Sequence, residues 1–125
     1  GAARNAAYQR TMNPVLVAHL YLAIAIIAEV SATLALKAAE GFTRPVPSIL
    51  AVGGYAIAFF CLSMTLRALS MGIVYAIWSG IGIVLIALAG WAFYRQSLDM
   101  PALIGMSLIL AGVLVINLFS KSVAA

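Results

Sequence analysis

The chain has 125 residues, of which 66% are hydrophobic and only 8% are charged. Soluble domains carry charge on about a quarter of their residues, so this composition indicates an integral membrane protein. One cysteine and one histidine exclude a disulfide framework and a Cys/His metal cluster within one chain. We expect no metal, no cofactor and no enzymatic activity, because the chain offers no nucleophile, base and orienting group in combination.

The net charge of +4 comes from Lys and Arg residues near the ends of apolar segments. This placement is typical of residues that flank membrane spans. We therefore interpret the charge as a membrane feature and expect no nucleic-acid partner.

Four apolar segments follow a small, polar start. Residues 1–11 (GAARNAAYQRT) are interpreted as a flexible N-terminal extension, added or processed, that is separate from a membrane domain over residues 12–122. The segments, each about the 20 residues that a helix needs to cross the hydrocarbon core, are Val15–Leu36, Ser48–Leu66, Gly72–Phe93 and Pro101–Phe119. Open strands would leave backbone polar groups unsatisfied in lipid. The sequence therefore predicts an all-α membrane protein with four transmembrane helices.

Glu29 is the acidic residue that falls inside an apolar segment, whereas Glu40 and Asp99 lie in predicted connectors. An ionised side chain at such a position costs about 2.5–3.5 kcal/mol on the insertion scale. Residues of this kind usually face a bundle interior or a wet cavity and mark an ion or substrate path. The alternative is a structural glutamate that is hydrogen-bonded to a neighbouring helix.

Helical spacing predicts which residues share a face with Glu29 and which residues of the other segments share a face with aromatic rings. The residues within about 60° of Glu29 at about 100° per residue are Ala18, Leu22, Ala25, Ala32, Thr33 and Leu36. The third segment aligns Tyr75, Trp78, Ser79 and Gly82, and the second aligns Ser48, Tyr55, Phe59 and Leu62. These faces predict a cavity with aromatic walls. For Tyr55 and Trp78 the alternative is an interfacial aromatic belt, and we also expect His19 near the membrane surface.

Two pairs of glycines have predicted structural roles. Gly80 and Gly82, beside Ser79 near mid-membrane, permit a bend in the third helix. Gly105 and Gly112 are seven residues apart and allow another backbone to approach closely. Packing within the chain is the alternative for this second pair.

The distribution of positive charge gives almost no preferred orientation. Four spans put both termini on one side, which carries Arg4, Arg10, Arg67 and Lys121, while the other side carries Lys37, Arg44 and Arg95. The positive-inside rule therefore favours neither orientation. Four short helices also enclose little space around one glutamate. Together these features predict a dimer, with subunits that are oppositely oriented.

Three stretches carry a family resemblance: AEVSATLALKAAEGFTRPVPS, MGIVYAIWSGIGIVLIAL and LIGMSLILAGVLVINL. They resemble the small multidrug resistance transporters, in their drug/proton antiporter branch, from about Met12 to Ser122. The resemblance implies an antiparallel homodimer in the bacterial inner membrane. Such a dimer exports lipophilic cations, such as quaternary ammonium compounds and dyes, in exchange for protons by alternating access.

The resemblance also implies roles for individual residues. Glu29 would be the shared proton and cation site. The substrate-binding residues would be Tyr55, Tyr75, Trp78, Ala25, Ile26, Ala32, Thr33 and Ser79. Gly80 and Gly82 would form the bend of the third helix, and Gly105 with Gly112 the dimer contact of the fourth.

The chain departs from the family pattern at His19, where close members have an aromatic residue, and at Ala32, where glycine is frequent. The guanidinium-exporting branch is an alternative, but it typically has a tryptophan shortly after the glutamate, where this chain has Ser31-Ala32-Thr33. Together with Tyr55, this favours the branch that exports polyaromatic cations. A passive cation pore and a non-transporting helper subunit of a larger membrane complex are the alternatives from other classes.

Overall fold

The fold is a bundle of four α-helices, seen in a computed structural model that describes residues 1–3 and 13–121. The helices are α1 (Pro14–Ala38), α2 (Pro45–Thr65), α3 (Met71–Tyr94) and α4 (Met100–Phe119). All four are long and apolar enough to cross a membrane. The predicted four-helix membrane architecture is therefore confirmed. Most of the predicted N-terminal extension, residues 4–11, lies outside the described residues.

The helix ends follow the capping and proline signals of the sequence. The Asn13 side chain accepts a hydrogen bond from the Val15 N–H at 2.9 Å, and Asp99 caps α4 in the same way. The largest boundary difference is at α2, which begins at Pro45 instead of the predicted Ser48. Proline suits the first turn of a helix, because the N–H groups there have no partner within the helix.

The tightest helix pair is α1 with α2, which share the most extensive packing in the bundle. A Cβ atom at Gly54 would lie 2.8 Å from the Ala32 Cβ and 3.3 Å from the Ala28 carbonyl oxygen, so glycine permits this approach. Towards the end of α2, the buried hydroxyl of Thr65 donates to the Ala18 carbonyl oxygen at 3.3 Å. These contacts fix α2 against α1 close to Glu29, which lies one turn from Ala32.

The fourth helix lies at the periphery and packs mainly against α3. A Cβ atom at Gly80 would lie 2.5 Å from Val113 Cγ2, and Val113 is the buried residue of α4. Only 6% of the apolar window of α4 is buried. Among the described residues, no atom lies within 4 Å of a Cβ built at Gly105 or Gly112. Packing within the chain does not explain this pair, and its predicted role as a dimer contact stays a prediction.

The third helix is continuous from Met71 to Tyr94 through Gly80 and Gly82. The predicted bend at these glycines stays a prediction. Both glycines are buried, and each also has a packing role. Gly80 admits α4, and a Cβ at Gly82 would lie 3.7 Å from Glu29 Oε2.

Candidate functional site: an intramembrane carboxylate beside an aromatic row

The carboxylate of Glu29 lies on α1 and is directed toward α3, where it lines a groove of about 230 Å³. The other residues that line this groove all come from α3: Trp78, Ser79, Gly82, Ile83 and Ile86. Because Gly82 has no side chain, the carboxylate remains open to the groove. The resemblance implied that Trp78 lies in the binding site with Glu29, and the two residues line the same groove in this chain.

The carboxylate is held by two hydroxyl groups in series. The Thr33 hydroxyl lies 3.2 Å from Glu29 Oε1 and 2.9 Å from the Glu29 carbonyl oxygen. It also lies 2.7 Å from the Tyr55 hydroxyl. A threonine hydroxyl has one proton to donate. When Thr33 donates to Glu29, the Tyr55 hydroxyl must donate to Thr33, so α2 helps to position the carboxylate through α1.

Four aromatic rings form a row from the hydrogen-bonded Tyr55 to the wall of the groove. Tyr55 and Phe59 are stacked, with their ring centroids 6.4 Å apart. Phe59 meets the Trp78 ring edge to face at 6.4 Å, and Tyr75 meets the same ring edge to face at 5.5 Å. Phe59 and Tyr75 are more than half exposed. The row therefore presents apolar ring surface, with the charge of Glu29 beside Trp78.

Three residues that the resemblance placed in the binding site take part in the helix packing of this chain. Ala25, Ile26 and Ala32 are at most 4% exposed. None of the three lines the groove, because this side of α1 is covered by its neighbouring helices. Their role in substrate binding stays a prediction. In one chain these three residues bring the helices together.

The site also contains two residues that sequence reasoning did not assign to it, Ile83 and Ile86, which line the groove. Phe59, which the sequence aligned with Tyr55 but the resemblance did not name, joins the aromatic row. Phe59 follows Tyr55 by four residues, and Ile83 follows Ser79 by four, so each shares a helical face with an assigned residue. Helical spacing was the available signal for all of them.

His19 lies ten residues, nearly three turns, before Glu29 on α1 and does not line the groove. Its Nδ1 donates to the Val15 carbonyl oxygen at 2.8 Å. The histidine is therefore held against its own helix, one turn from the helix start.

The fold and the groove together define a multi-pass membrane protein with a carboxylate on a membrane helix, the kind of site that marks an ion or substrate path. The family model for Small Multidrug Resistance protein matches residues 17–109. The chain therefore belongs to the small multidrug resistance family, and the predicted family is confirmed.

Its relatives match over most of their length. The chain is 58% identical to the multidrug transporter PA4990 of Pseudomonas aeruginosa over 104 residues, which cover 83% of this chain and 94% of the relative. It is 53% identical to the quaternary ammonium compound-resistance protein QacF of Klebsiella aerogenes, over 82% of this chain and 93% of the relative. It is also 53% identical to the multidrug transporter EmrE of Escherichia coli, over 89% of this chain and 97% of the relative. The chain is thus a multi-pass protein of the bacterial inner membrane, and a transporter rather than an enzyme.

Proposed function

We propose that this protein exports lipophilic aromatic cations in exchange for protons, and that both use Glu29 as their binding site. The observation that carries the proposal is the Glu29 carboxylate in a groove walled by Trp78. The names of two relatives, a multidrug transporter and a quaternary ammonium compound-resistance protein, support multidrug efflux and this class of substrate.

The groove suits a cation whose charge is spread over a large apolar body. Glu29 supplies the negative charge, and the faces of Trp78, Phe59 and Tyr75 supply dispersion and cation–π attraction. Such a contact contributes about 0.5–1 kcal/mol at an exposed site and about 2 kcal/mol or more when it is desolvated. Ring faces impose little directional geometry. A site of this kind therefore accepts cations of different shapes.

Coupling follows because one carboxylate cannot serve both ligands at once. A cation is attracted to the ionised form of Glu29, and a bound proton removes that charge. Proton binding therefore releases the cation, and cation binding releases the proton. If the protein opens to one side of the membrane at a time, as transporters with a central site do, this competition drives cations out as protons enter.

A second copy of the chain supplies the missing wall of the site. Among the described residues of one chain, α1 and α3 alone border the groove, and the rings of Phe59 and Tyr75 are 56% and 54% exposed. The outer face of α4, with Gly105 and Gly112, has no partner among the described residues. An antiparallel homodimer would enclose the groove, and the nearly even distribution of positive charge allows both orientations.

The groove favours an aromatic cation over guanidinium. A guanidinium ion is planar and presents many N–H donors, so it binds best where several acceptors lie in one plane. Near Glu29 the other polar groups are hydroxyls, those of Thr33, of Tyr55 behind it and of Ser79 on α3, while Trp78, Ile83 and Ile86 supply apolar surface. The helper-subunit alternative differs in its consequence, because such a subunit would bind no cation when purified alone.

Binding of tetraphenylphosphonium to the purified protein, measured calorimetrically across pH, tests the proposal. We expect the affinity to fall as the pH is lowered, because protons compete for Glu29. Glu29→Gln should bind weakly and with little pH dependence. The matched control is Glu40→Gln, which removes an exposed acid from the α1–α2 connection and should behave like the wild type. Wild-type affinity and pH dependence in Glu29→Gln would contradict the proposal, and absence of binding to the wild type would favour a helper subunit.

A further inference from the structure

A second cavity lies between α1 and α3, toward the ends of both helices. It has a volume of about 180 Å³, and its lining includes Thr33, Lys37, Tyr94 and Gln96. Ile86 borders both this cavity and the Glu29 groove. Thr33 lines the cavity and also donates to the Glu29 carboxylate. The second cavity thus adjoins the Glu29 groove, on the side toward the ends of α1 and α3.

The aromatic wall of this cavity is already occupied by a cation of the chain itself. The Lys37 ammonium nitrogen lies 5.2 Å from the centroid of the Tyr94 ring, within the range of a cation–π contact. The Tyr94 hydroxyl donates to the Leu34 carbonyl oxygen at 3.1 Å, which holds the ring against α1. The ring is therefore fixed, whereas Lys37 is exposed and has a flexible stem.

Beside the ring, the chain turns so that an amide faces the same space. Arg95 ends α3 in the left-handed conformation, with φ 53°, and the Gln96 N–H donates to the Gly90 carbonyl oxygen at 3.2 Å. A Cβ atom at Gly90 would lie 2.7 Å from Gln96 Oε1. The glycine therefore makes room for the Gln96 amide, which packs against Gly90 at the edge of the cavity and carries an oxygen that can accept or contact a cation.

We propose that Tyr94 and Gln96 form an outer binding site for organic cations, and that Lys37 occupies this site until the transported cation displaces it. The proposal rests on the proposed function, because it names a place where the same class of substrate binds before it reaches Glu29. Two positive charges repel each other, so Lys37 and a substrate cannot share the ring.

The exchange favours the class of substrate that the inner groove accepts. A lysine ammonium is compact and strongly hydrated, so it loses little when it moves from the ring into water at the helix end. Moving a lipophilic aromatic cation from water onto the ring is favourable in free energy, because its apolar surface is then removed from water. A small hydrated cation has no such gain, and Lys37 stays in place. Lys37 thereby acts as a tethered competitor that selects lipophilic cations.

The test uses Glu29→Gln as its background, so that the inner site no longer contributes to binding. Tetraphenylphosphonium is titrated into the full-length protein in bicelles, and the NMR signals of the Gln96 backbone and side-chain amides are followed. We expect adding Lys37→Gln to tighten the binding seen at Gln96 by about two- to fivefold, the scale of one exposed cation–π contact. Adding Tyr94→Leu to the Glu29→Gln, Lys37→Gln double variant should weaken tetraphenylphosphonium binding at Gln96 by at least the same factor.

Two further variants separate the ring from general structural effects. Tyr94→Phe keeps the ring and should retain most of the binding. Phe93→Leu removes the adjacent ring, which is 74% exposed, and should change nothing. If Tyr94→Leu fails to fold, the Lys37→Gln titration with Tyr94 intact still decides the question.

Absence of any tightening in Lys37→Gln overturns the proposal. Equal binding with leucine or tyrosine at position 94 also overturns it. So does an effect of Lys37→Gln that depends on the anionic lipid content of the bicelle, because Lys37 would then bind lipid headgroups. The proposed function is decided separately, by comparing the wild type with Glu29→Gln.

Discussion

At the scale of single residues, Thr33 connects the parts of the site. Its hydroxyl donates to Glu29 on the same helix and accepts from Tyr55 on α2. Tyr55 in turn stacks on Phe59, which meets Trp78. A carboxylate in an apolar helix is expensive unless it is hydrogen-bonded or wet. Here it has a hydroxyl partner and an open groove, so its charge is available to a ligand.

Trp78→Ala should weaken binding of tetraphenylphosphonium by about threefold to thirtyfold, the scale of an exposed to a desolvated cation–π contact. Binding of tetramethylammonium, which covers little ring surface, should change less. The measurement is calorimetric titration of both ligands. The matched control is Trp91→Ala on the same helix, since Trp91 is 60% exposed and does not line the groove. Equal losses for the two ligands would mean that Trp78 has a structural role.

Part of the site was predictable from residue chemistry and helical spacing alone. Glu29 stands out because a charge in an apolar segment is costly, and Trp78, Ser79 and Gly82 share a face of α3. The contact between Lys37 and Tyr94 was not predictable, because these residues lie on different helices. Spacing within a helix gives the faces, whereas contacts between helices depend on how the helices are placed.

At the scale of helices, close packing positions the site. Gly54 brings α2 against Ala32, one turn from Glu29, and Gly80 brings α4 against α3. The helix bounds were predicted to within about three residues, because the length of an apolar run is set by the thickness of the membrane. The role of Gly54 was not predicted, since the Gly53-Gly54 pair in an apolar segment gives no sign of which helix either glycine meets.

Gly54→Ala should destabilise the protein, because the new Cβ would lie 2.8 Å from the Ala32 Cβ and neither methyl group can rotate away. Overpacking of this kind costs about 1–3 kcal/mol. The expected result is a lower melting temperature in detergent and weaker cation binding, because α2 carries Tyr55. Gly53→Ala is the matched control, since no atom of the described residues lies within 4 Å of a Cβ there. If the two variants are equally stable, Gly54 does not set the distance between α1 and α2.

At the scale of the whole molecule, one chain does not enclose the Glu29 groove completely. Most of α4 is exposed, and so are half of the aromatic row and one side of the groove. In a membrane these surfaces face lipid or another copy. The homodimer proposed above covers the groove with a second set of helices and brings a second Glu29 to the same chamber.

Each subunit should insert into the membrane in either orientation, because the two sides differ by a single positive charge. Phe42→Lys with Ser97→Lys adds two charges to one side, and Met71→Lys with Gly72→Lys adds two to the other, so each pair should fix one orientation. In cells challenged with ethidium, we expect either locked form alone to give no resistance. Co-expression of the two forms should restore it. Full resistance from a single locked form would show that the subunits work in parallel.

The central claim is that one carboxylate binds the proton and the cation in turn, and proton release on substrate binding tests it most directly. Purified protein in weakly buffered detergent solution, held at a pH low enough to protonate Glu29, is mixed with tetraphenylphosphonium while the pH is recorded. The wild type and Glu40→Gln should release protons in proportion to the cation bound. Glu29→Gln should release none while it remains folded and dimeric. Equal proton release from Glu29→Gln would contradict the claim and place the exchange on another group.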